Sequence, residues 1–145
     1  VTRRRPLPGA MGIEQARRRL AAIPALGAPG RERLINVYGG RAAGILDLAD
    51  AEPELRGTLA GRSTVLRAEV AHAAREELAM TLIDIVHRRL MIGLDSDQGV
   101  SCSGAVAEIA ARELGWSAAE LRRQLGLLRQ YNERLRPAFL HAAPT

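Results

Sequence analysis

The sequence of 145 residues carries a formal net charge of +5, contains 25 alanines and has one cysteine, Cys102. Four aromatic residues are too few for a sheet-rich core, whereas alanine and leucine are strong helix formers, so the composition predicts packed helices. A single cysteine excludes an internal disulfide framework, and no apolar run approaches the ~20 residues that a membrane span needs.

The positive charge lies in the first thirty residues. Six arginines stand there against one acid, Glu14, whereas residues 31–145 hold fifteen arginines and fifteen acids. A neutral body lacks the basic face that is typical of nucleic-acid-binding proteins. We therefore expect no specific nucleic acid as a partner and, without disulfides or an N-terminal apolar signal, a cytoplasmic location. The arginines of this basic arm are Arg3, Arg4, Arg5, Arg17, Arg18 and Arg19.

The first half of the chain predicts short helices joined by loops. Prolines and a glycine make residues 1–10 an extended linker, because proline prevents a helix from running through it. Gly39 is placed to end a helix in the C-cap role. The helices predicted here cover residues 13–23, 31–40 and 41–49, with loops at 24–30 and 50–64.

The second half predicts longer helices. Residues 65–91 are compatible with helix throughout, with a bend or break near residues 75–78, where the apolar face changes sides. Residues 93–104 predict a turn-rich loop, and residues 105–115 predict a helix closed by Gly115.

The last helix begins with a capping signal. Ser117 and Glu120 have the spacing of a capping box, and Trp116 is placed to pack against Leu121. Apolar residues then recur at heptad-like spacing with one polar member. The positions of this seam are Leu121, Leu125, Leu128, Asn132, Leu135 and Phe139.

These elements predict an all-α fold, a compact bundle of about five to six helices with no sheet. Residues 1–30 are predicted to form a basic, Pro/Gly-rich linker with a short N-terminal helix. Residues 31–145 are predicted to form the helical domain.

Motifs for catalysis and metal binding are incomplete. Glu69 and His72 have the E-x-x-H spacing of di-iron bundles, but the sequence holds no second copy. Asp95 and Asp97 lie in a loop similar to a calcium site, yet Val106 stands where the bidentate glutamate must be. Neither a nucleophile elbow nor a strand followed by a phosphate-binding glycine loop is present in the sequence. The residues alone therefore predict no catalytic, cofactor-binding or metal-binding site.

A polar stripe runs along residues 76–90, which are otherwise strongly apolar. Glu77, Thr81, Asp84 and Arg88 fall at i, i+4, i+7 and i+11, on one face of a helix. The stripe is either the solvated face of a covered helix or a contact line against another helix or domain, and its narrowness favours the contact. We expect Asp84 to be paired with Arg88 rather than solvated.

The segment AEVAHAAREELAMTLIDIVHRRL, residues 68–90, resembles a segment of FAD-dependent glycerol-3-phosphate dehydrogenases and alpha-glycerophosphate oxidases. That family reads A-E-V, then an acidic residue, then T-x-x-D-x-x-x-R-R. LINVYGGRAAGILDLA and VAEIAARELGWS resemble flanking segments of the family, and RRRPLPGA is similar to the stretch after its flavin domain. The family usually continues with Thr-Arg, where this chain has Leu90 and Met91. The matching positions are Ala68, Glu69, Val70, Glu77, Thr81, Asp84, Arg88 and Arg89.

The resemblance implies a non-catalytic C-terminal helical cap domain of a longer enzyme. The parent would oxidise sn-glycerol 3-phosphate to dihydroxyacetone phosphate and pass electrons through FAD to a quinone or to oxygen. FAD and substrate would bind in the preceding domain, so the implied partner is the FAD/substrate domain of the same chain. Homo-oligomerisation, and association of the parent with the inner face of a membrane through other regions, stay open. The implied structural or interdomain polar network comprises Glu69, Glu77, Thr81, Asp84, Arg88 and Arg89.

A second hypothesis belongs to a different class of function. A free-standing helical binding module would use the basic arm on nucleic acid or another anionic partner.

Overall fold

The computed structural model describes residues 9–135, which form a bundle of six α-helices with one small hairpin. Short 3-10 turns join several of the helices. The elements are α1 (Ile13–Ala21), α2 (Ala28–Tyr38), α3 (Ala42–Ala51), β1 (Thr58–Leu59), β2 (Arg62–Leu66), α4 (Arg67–Glu76), α5 (Ser103–Leu114) and α6 (Ala118–Leu135).

Two glycines at the end of α2 let the beginning of the described chain pack closely. Gly39 ends the helix with φ +57°, as its predicted C-cap role requires. The Gly40 N–H donates to the Gly9 carbonyl at 2.8 Å, and a Cβ on Gly40 would lie 1.5 Å from the Met11 carbonyl oxygen. Residues 9–12 therefore lie directly against the turn between α2 and α3.

The predicted absence of a sheet is wrong, because β1 and β2 pair as an antiparallel hairpin within the segment expected to be a loop. The connection is Ala60–Gly61, and Gly61 adopts φ +77°. A Cβ at Gly61 would also lie 2.7 Å from the Ser101 carbonyl oxygen, so the turn fits against the loop before α5. The two strands are short and their pairing is irregular, so the sequence shows little of the apolar–polar alternation from which strands are predicted.

The predicted break near residues 75–78 is confirmed. Helix α4 ends at Glu76, and Leu78 takes a left-handed conformation with φ +55°. The chain becomes helical again at Leu82 and widens into a π-helical segment, Asp84–Arg89, in which the Leu90 N–H donates to the Ile85 carbonyl. Such π segments are rare in proteins, and those that occur are often found at functional sites.

Helices α5 and α6 follow the predicted boundaries closely. Gly115 closes α5 with φ +65°, and Ser117 Oγ accepts the Glu120 N–H at 3.1 Å at the start of α6. The Glu120 carboxylate bonds Arg123 and Gln124, so the predicted reciprocal capping box is only half formed. Within the predicted seam Leu128 and Asn132 are buried and Leu135 is exposed, whereas Phe139 lies outside the described residues.

Alanine shapes the core around α4. Ala68, Ala71 and Ala73 are fully buried, and α4 packs against both α3 and α5. Short side chains allow these helices to approach closely. Helix α1 adds Ala16 and Leu20 to the same core. Within residues 9–135, no helix combines the length and the apolar character that crossing a membrane requires.

Candidate functional site

The most deeply buried charge in the described chain is the Glu69 carboxylate, which is 0% exposed. Glu69 lies in the first turn of α4, and its Oε1 accepts the Leu66 N–H at 2.8 Å. Its Oε2 accepts a hydrogen bond from Arg33 Nη1 on α2 at 2.7 Å. Arg33 Nη2 donates in turn to the Leu90 carbonyl at 2.8 Å. One arginine thus joins α2, the start of α4 and the end of the π-helical segment.

Electrostatics at this pair are set by burial and by the arginine. Burial raises the pKa of Glu69 above its ordinary value, while the nearby Arg33 guanidinium acts in the opposite direction. Arg33 keeps a partly exposed side chain, so its own charge is still reached by solvent. An enclosed carboxylate with both oxygens occupied is suited to holding elements together and is closed to a substrate.

Two polar rings pack beside this pair without hydrogen-bond partners. Tyr38 and His72 are each 6% exposed and meet edge to face, with ring centroids 5.9 Å apart. Among the described residues, the Tyr38 hydroxyl and both ring nitrogens of His72 find no partner. Burial raises the pKa of Tyr38 and lowers the pKa of His72, because each charged form is poorly solvated.

The predicted polar stripe is divided in two by the break after α4. Glu77 lies on the α4 side, 4.0 Å from His72 Nε2 and 4.0 Å from Arg41 Nη2. It therefore lies with His72 and Arg41, apart from the residues that follow the break.

The second part of the stripe is a local chain at the start of the next helical segment. Thr81 Oγ1 accepts the Asp84 N–H at 3.1 Å and donates to Asp84 Oδ2 at 2.7 Å, and Arg88 donates to Asp84 Oδ1. Burial opposes ionisation of Asp84, but the Thr81 and Arg88 hydrogen bonds hold its pKa below the ordinary value. The Arg88 side chain is 66% exposed and Arg89 is exposed, so this part of the stripe lies at the surface.

A third polar set fixes α6 to the π-helical segment. Gln124 and Asn132 are buried on α6. Gln124 Oε1 accepts the Leu82 N–H at 3.1 Å, and Asn132 Oδ1 lies 2.7 Å from His87 Nε2. The Asn132 amide also donates to the Gln98 carbonyl at 3.1 Å.

Sequence reasoning missed Arg33, Gln124 and His87 as members of these networks. Arg33 lies among other charged residues on α2, 36 positions from Glu69, so local spacing gives no indication of the pair. The polar position Asn132 within an apolar seam was the one available signal for the third set.

The Asp95 and Asp97 loop is held together by internal contacts. Asp97 accepts the Gly99 and Ser101 N–H groups, and Arg62 donates to both aspartates. The Ser101 hydroxyl also donates to Asp97, and this bond contributes most to keeping the pKa of Asp97 well below its ordinary value. Over residues 9–135 no group of three or more His, Cys, Asp or Glu side chains is arranged to hold a metal ion.

The basic arm is only partly described. Arg3, Arg4 and Arg5 lie outside the described residues. Arg19 on α1 is paired with Asp47 and Asp50 on α3, each at 2.8 Å. Its charge is therefore matched within the domain.

A dinucleotide pyrophosphate needs a strand, a glycine-rich turn and a helix N-terminus. In the described chain β2 passes directly into α4 at Leu66–Arg67, with no glycine between strand and helix. The residues of this strand-to-helix junction do not fit the phosphate-binding site of a flavin.

Residues 1–121 match the family model described as the C-terminal domain of alpha-glycerophosphate oxidase. The chain is 36% identical over 93 residues to glycerol-3-phosphate dehydrogenase 2 of Mycobacterium tuberculosis, covering 63% of this chain and 16% of that protein. It is 31% identical over 111 residues to glycerol-3-phosphate dehydrogenase of Mycobacterium leprae, covering 76% of this chain and 18% of that protein.

The glycerol-3-phosphate dehydrogenase of Synechocystis is 30% identical over 103 residues, covering 70% of this chain and 19% of that protein. The chain thus spans less than a fifth of the length of these relatives. No solved structure matches.

Proposed function

We propose that this chain is the non-catalytic cap of a longer flavoenzyme. The proposal starts from its family: the chain belongs to the C-terminal domains of alpha-glycerophosphate oxidase. The relatives are glycerol-3-phosphate dehydrogenases several times longer than the matched segment. The proposed parent oxidises sn-glycerol 3-phosphate to dihydroxyacetone phosphate. Its FAD accepts the electrons and passes them to a quinone or to oxygen.

The observation that carries the non-catalytic role is the position of Glu69. A general acid or base must reach the substrate within hydrogen-bond distance, directly or through one water. Glu69 is 0% exposed, and its two oxygens are occupied by Leu66 and Arg33. Glu69, the most deeply buried charged residue of the matched motif, therefore supports the fold of the cap and is not placed to take part in catalysis.

The proposed partner of the cap is the FAD/substrate domain of the same polypeptide. A covalently linked neighbour is present at high effective concentration, so even a weak interface keeps the two domains together. The proposed location is the cytoplasm, with the parent peripheral at the inner face of the membrane.

The test begins with the longest polypeptide that the reading frame of this chain encodes. We expect it to contain a strand followed by a G-x-G-x-x-G turn, to retain flavin absorbance after desalting and to oxidise glycerol 3-phosphate. The 145-residue chain alone should neither retain flavin nor oxidise glycerol 3-phosphate. Flavin retained by the short chain would contradict the proposal, as would a longest polypeptide with no flavin domain.

A point variant separates a structural role from a catalytic one. In the long polypeptide, Glu69→Gln should lower the melting temperature and leave kcat near the wild-type value, because the amide keeps the shape and the bond to Leu66. A fall in kcat of about a hundredfold or more, typical of a lost acid or base, without loss of flavin or stability would contradict a non-catalytic cap.

A further inference from the structure

Two residues that bracket the segment after α4 combine an unfavourable backbone with an exposed apolar side chain. Leu78 has φ +55° and is 79% exposed, and Met91 has φ +57° and is 50% exposed. The left-handed conformation is disfavoured for residues with a Cβ, and glycine adopts it freely. Glycine at either position would relieve the backbone and remove an apolar surface from water. The folded domain alone gains nothing evident from either side chain.

Contacts made by two arginines place these residues beside α2 and the turn that follows it, against which the described chain begins. Gly9 is bonded to Gly40, the next residue is Arg41, and Arg41 reaches Glu77, the neighbour of Leu78. On the other side, Arg33 on α2 donates to the carbonyl of Leu90, the neighbour of Met91.

Two further exposed apolar residues belong to the same region. Met11 is 63% exposed and lies against the turn after α2. Val37 is 43% exposed and lies one helical turn from Arg33. We call Met11, Val37, Leu78 and Met91 the N-terminal patch.

We propose that the N-terminal patch is the surface on which the preceding FAD/substrate domain docks. This inference rests on the proposed function and adds the location of the interface. The family places this domain at the C-terminal end of its proteins, so the remaining chain arrives through Gly9, beside the patch. Arg89 adds an exposed arginine two residues before Met91 in the sequence, and arginine and methionine are enriched at protein interfaces.

The experiment uses the long polypeptide with a site-specific protease site placed ahead of Gly9. After cleavage, size-exclusion chromatography shows whether the C-terminal domain still elutes with the flavin-containing part. We expect the wild type to stay associated and the double variant Leu78→Gly/Met91→Gly to separate. Truncation of a side chain at the centre of an interface weakens binding about tenfold or more, and removing two such side chains should weaken it further.

Gln98→Gly is the matched control. Gln98 has φ +52°, so glycine relieves the same backbone conformation, but its carbonyl faces α6 through Asn132. Gln98→Gly should leave the domains associated. Leu78→Asn/Met91→Asn is a second test pair, because asparagine tolerates the left-handed region but is polar. Circular dichroism of the 145-residue chain should show that none of these variants lowers the melting temperature appreciably.

A different occupant of the N-terminal patch, such as a second copy of the chain or a membrane surface, would give a different experimental result. Dimerisation of the 145-residue chain that the glycine pair abolishes would assign the patch to a second copy and overturn the proposal. Flotation with anionic vesicles that the glycine pair abolishes would assign it to a membrane surface. If the long polypeptide is an active flavoenzyme whose domains stay associated in both variant pairs, the docking surface is refuted and the proposed function stands. If no flavin domain precedes the chain, both fail.

Discussion

Arg33→Ala is the substitution that most directly measures the buried pair. It removes the guanidinium that contacts Glu69 Oε2 at 2.7 Å and leaves a carboxylate that is 0% exposed without its counter-charge. Breaking a buried pair from one side costs roughly 3–5 kcal/mol in measured cases. A lost hydrogen bond to the Leu90 carbonyl adds about 1 kcal/mol.

Glu69 can limit this cost by taking up a proton. Its ordinary pKa is 4.5, so protonation at pH 7 spans about 2.5 pH units and costs about 3.4 kcal/mol at about 1.4 kcal/mol per unit. At pH 5 the free-energy cost of protonating Glu69 is about 0.7 kcal/mol. The variant should therefore lose most stability at neutral pH and recover part of it on mild acidification, by up to about 2.7 kcal/mol relative to the wild type.

Urea denaturation followed by circular dichroism at pH 7 and pH 5 measures both values. Burial already raises the pKa of Glu69 in the wild type, and Arg33 is the charge that opposes this shift. Without Arg33 the folded variant should therefore bind a proton on Glu69 more readily than the folded wild type does. Its stability relative to the wild type must then fall as pH rises. A loss below about 0.5 kcal/mol at pH 7, or a loss that is equal at the two pH values, would refute the assignment of Arg33 and Glu69 as a structural ion pair.

Four further substitutions test other parts of the fold by urea denaturation. His72→Phe removes two buried ring nitrogens without partners and should stabilise the domain by about 1 kcal/mol at pH 7. Because the folded pKa of His72 lies below its ordinary 6.5, the wild type should lose stability as pH falls below that value; pH profiles that run parallel in the two proteins would contradict this. Gly93→Ala places a Cβ 2.2 Å from His87 Nδ1 and should cost about 1–3 kcal/mol, and an unchanged urea midpoint would mean that the His87 ring moves freely. Arg88→Ala should cost only ~0.3–0.5 kcal/mol, as for an exposed helical pair. Asp84→Ala also removes the carboxylate that accepts a hydrogen bond from the Thr81 hydroxyl and should cost about 1 kcal/mol, so equal losses in the two variants would contradict a contribution from that bond.

The helices were predictable where local chemistry decides their ends. Gly39 and Gly115 stop helices because both adopt positive φ, and Ser117 caps α6 through its hydroxyl. Helix α2 begins at Ala28, three residues before the predicted start. Pro29 is tolerated there because the first helical N–H groups have no intrahelical acceptor.

The candidate site was harder to predict because its partners are distant in sequence. The family motif indicates Glu69, but the partner of Glu69, Arg33, lies 36 positions away on a helix that carries other charged residues. The predicted stripe requires Glu77 and Thr81 to lie on one helix, whereas α4 ends at Glu76, Leu78 is left-handed and Glu77 lies beside His72. The assignment of these residues to an interdomain network stays a prediction.

The attachment of α6 has a consequence for how the domain opens. Its buried side chains are Gln124, Leu128 and Asn132, two of which are amides, and Leu121 and Leu125 pack against the core only partly buried. Hydrogen bonds fix where the helix sits, but apolar burial supplies most of the free energy of packing. Helix α6 should therefore detach in a partial opening that leaves α4 and its alanine-lined neighbours folded. Amide hydrogen exchange would show this as earlier deuteration of α6 than of α4, with low concentrations of urea accelerating exchange in α6 only weakly.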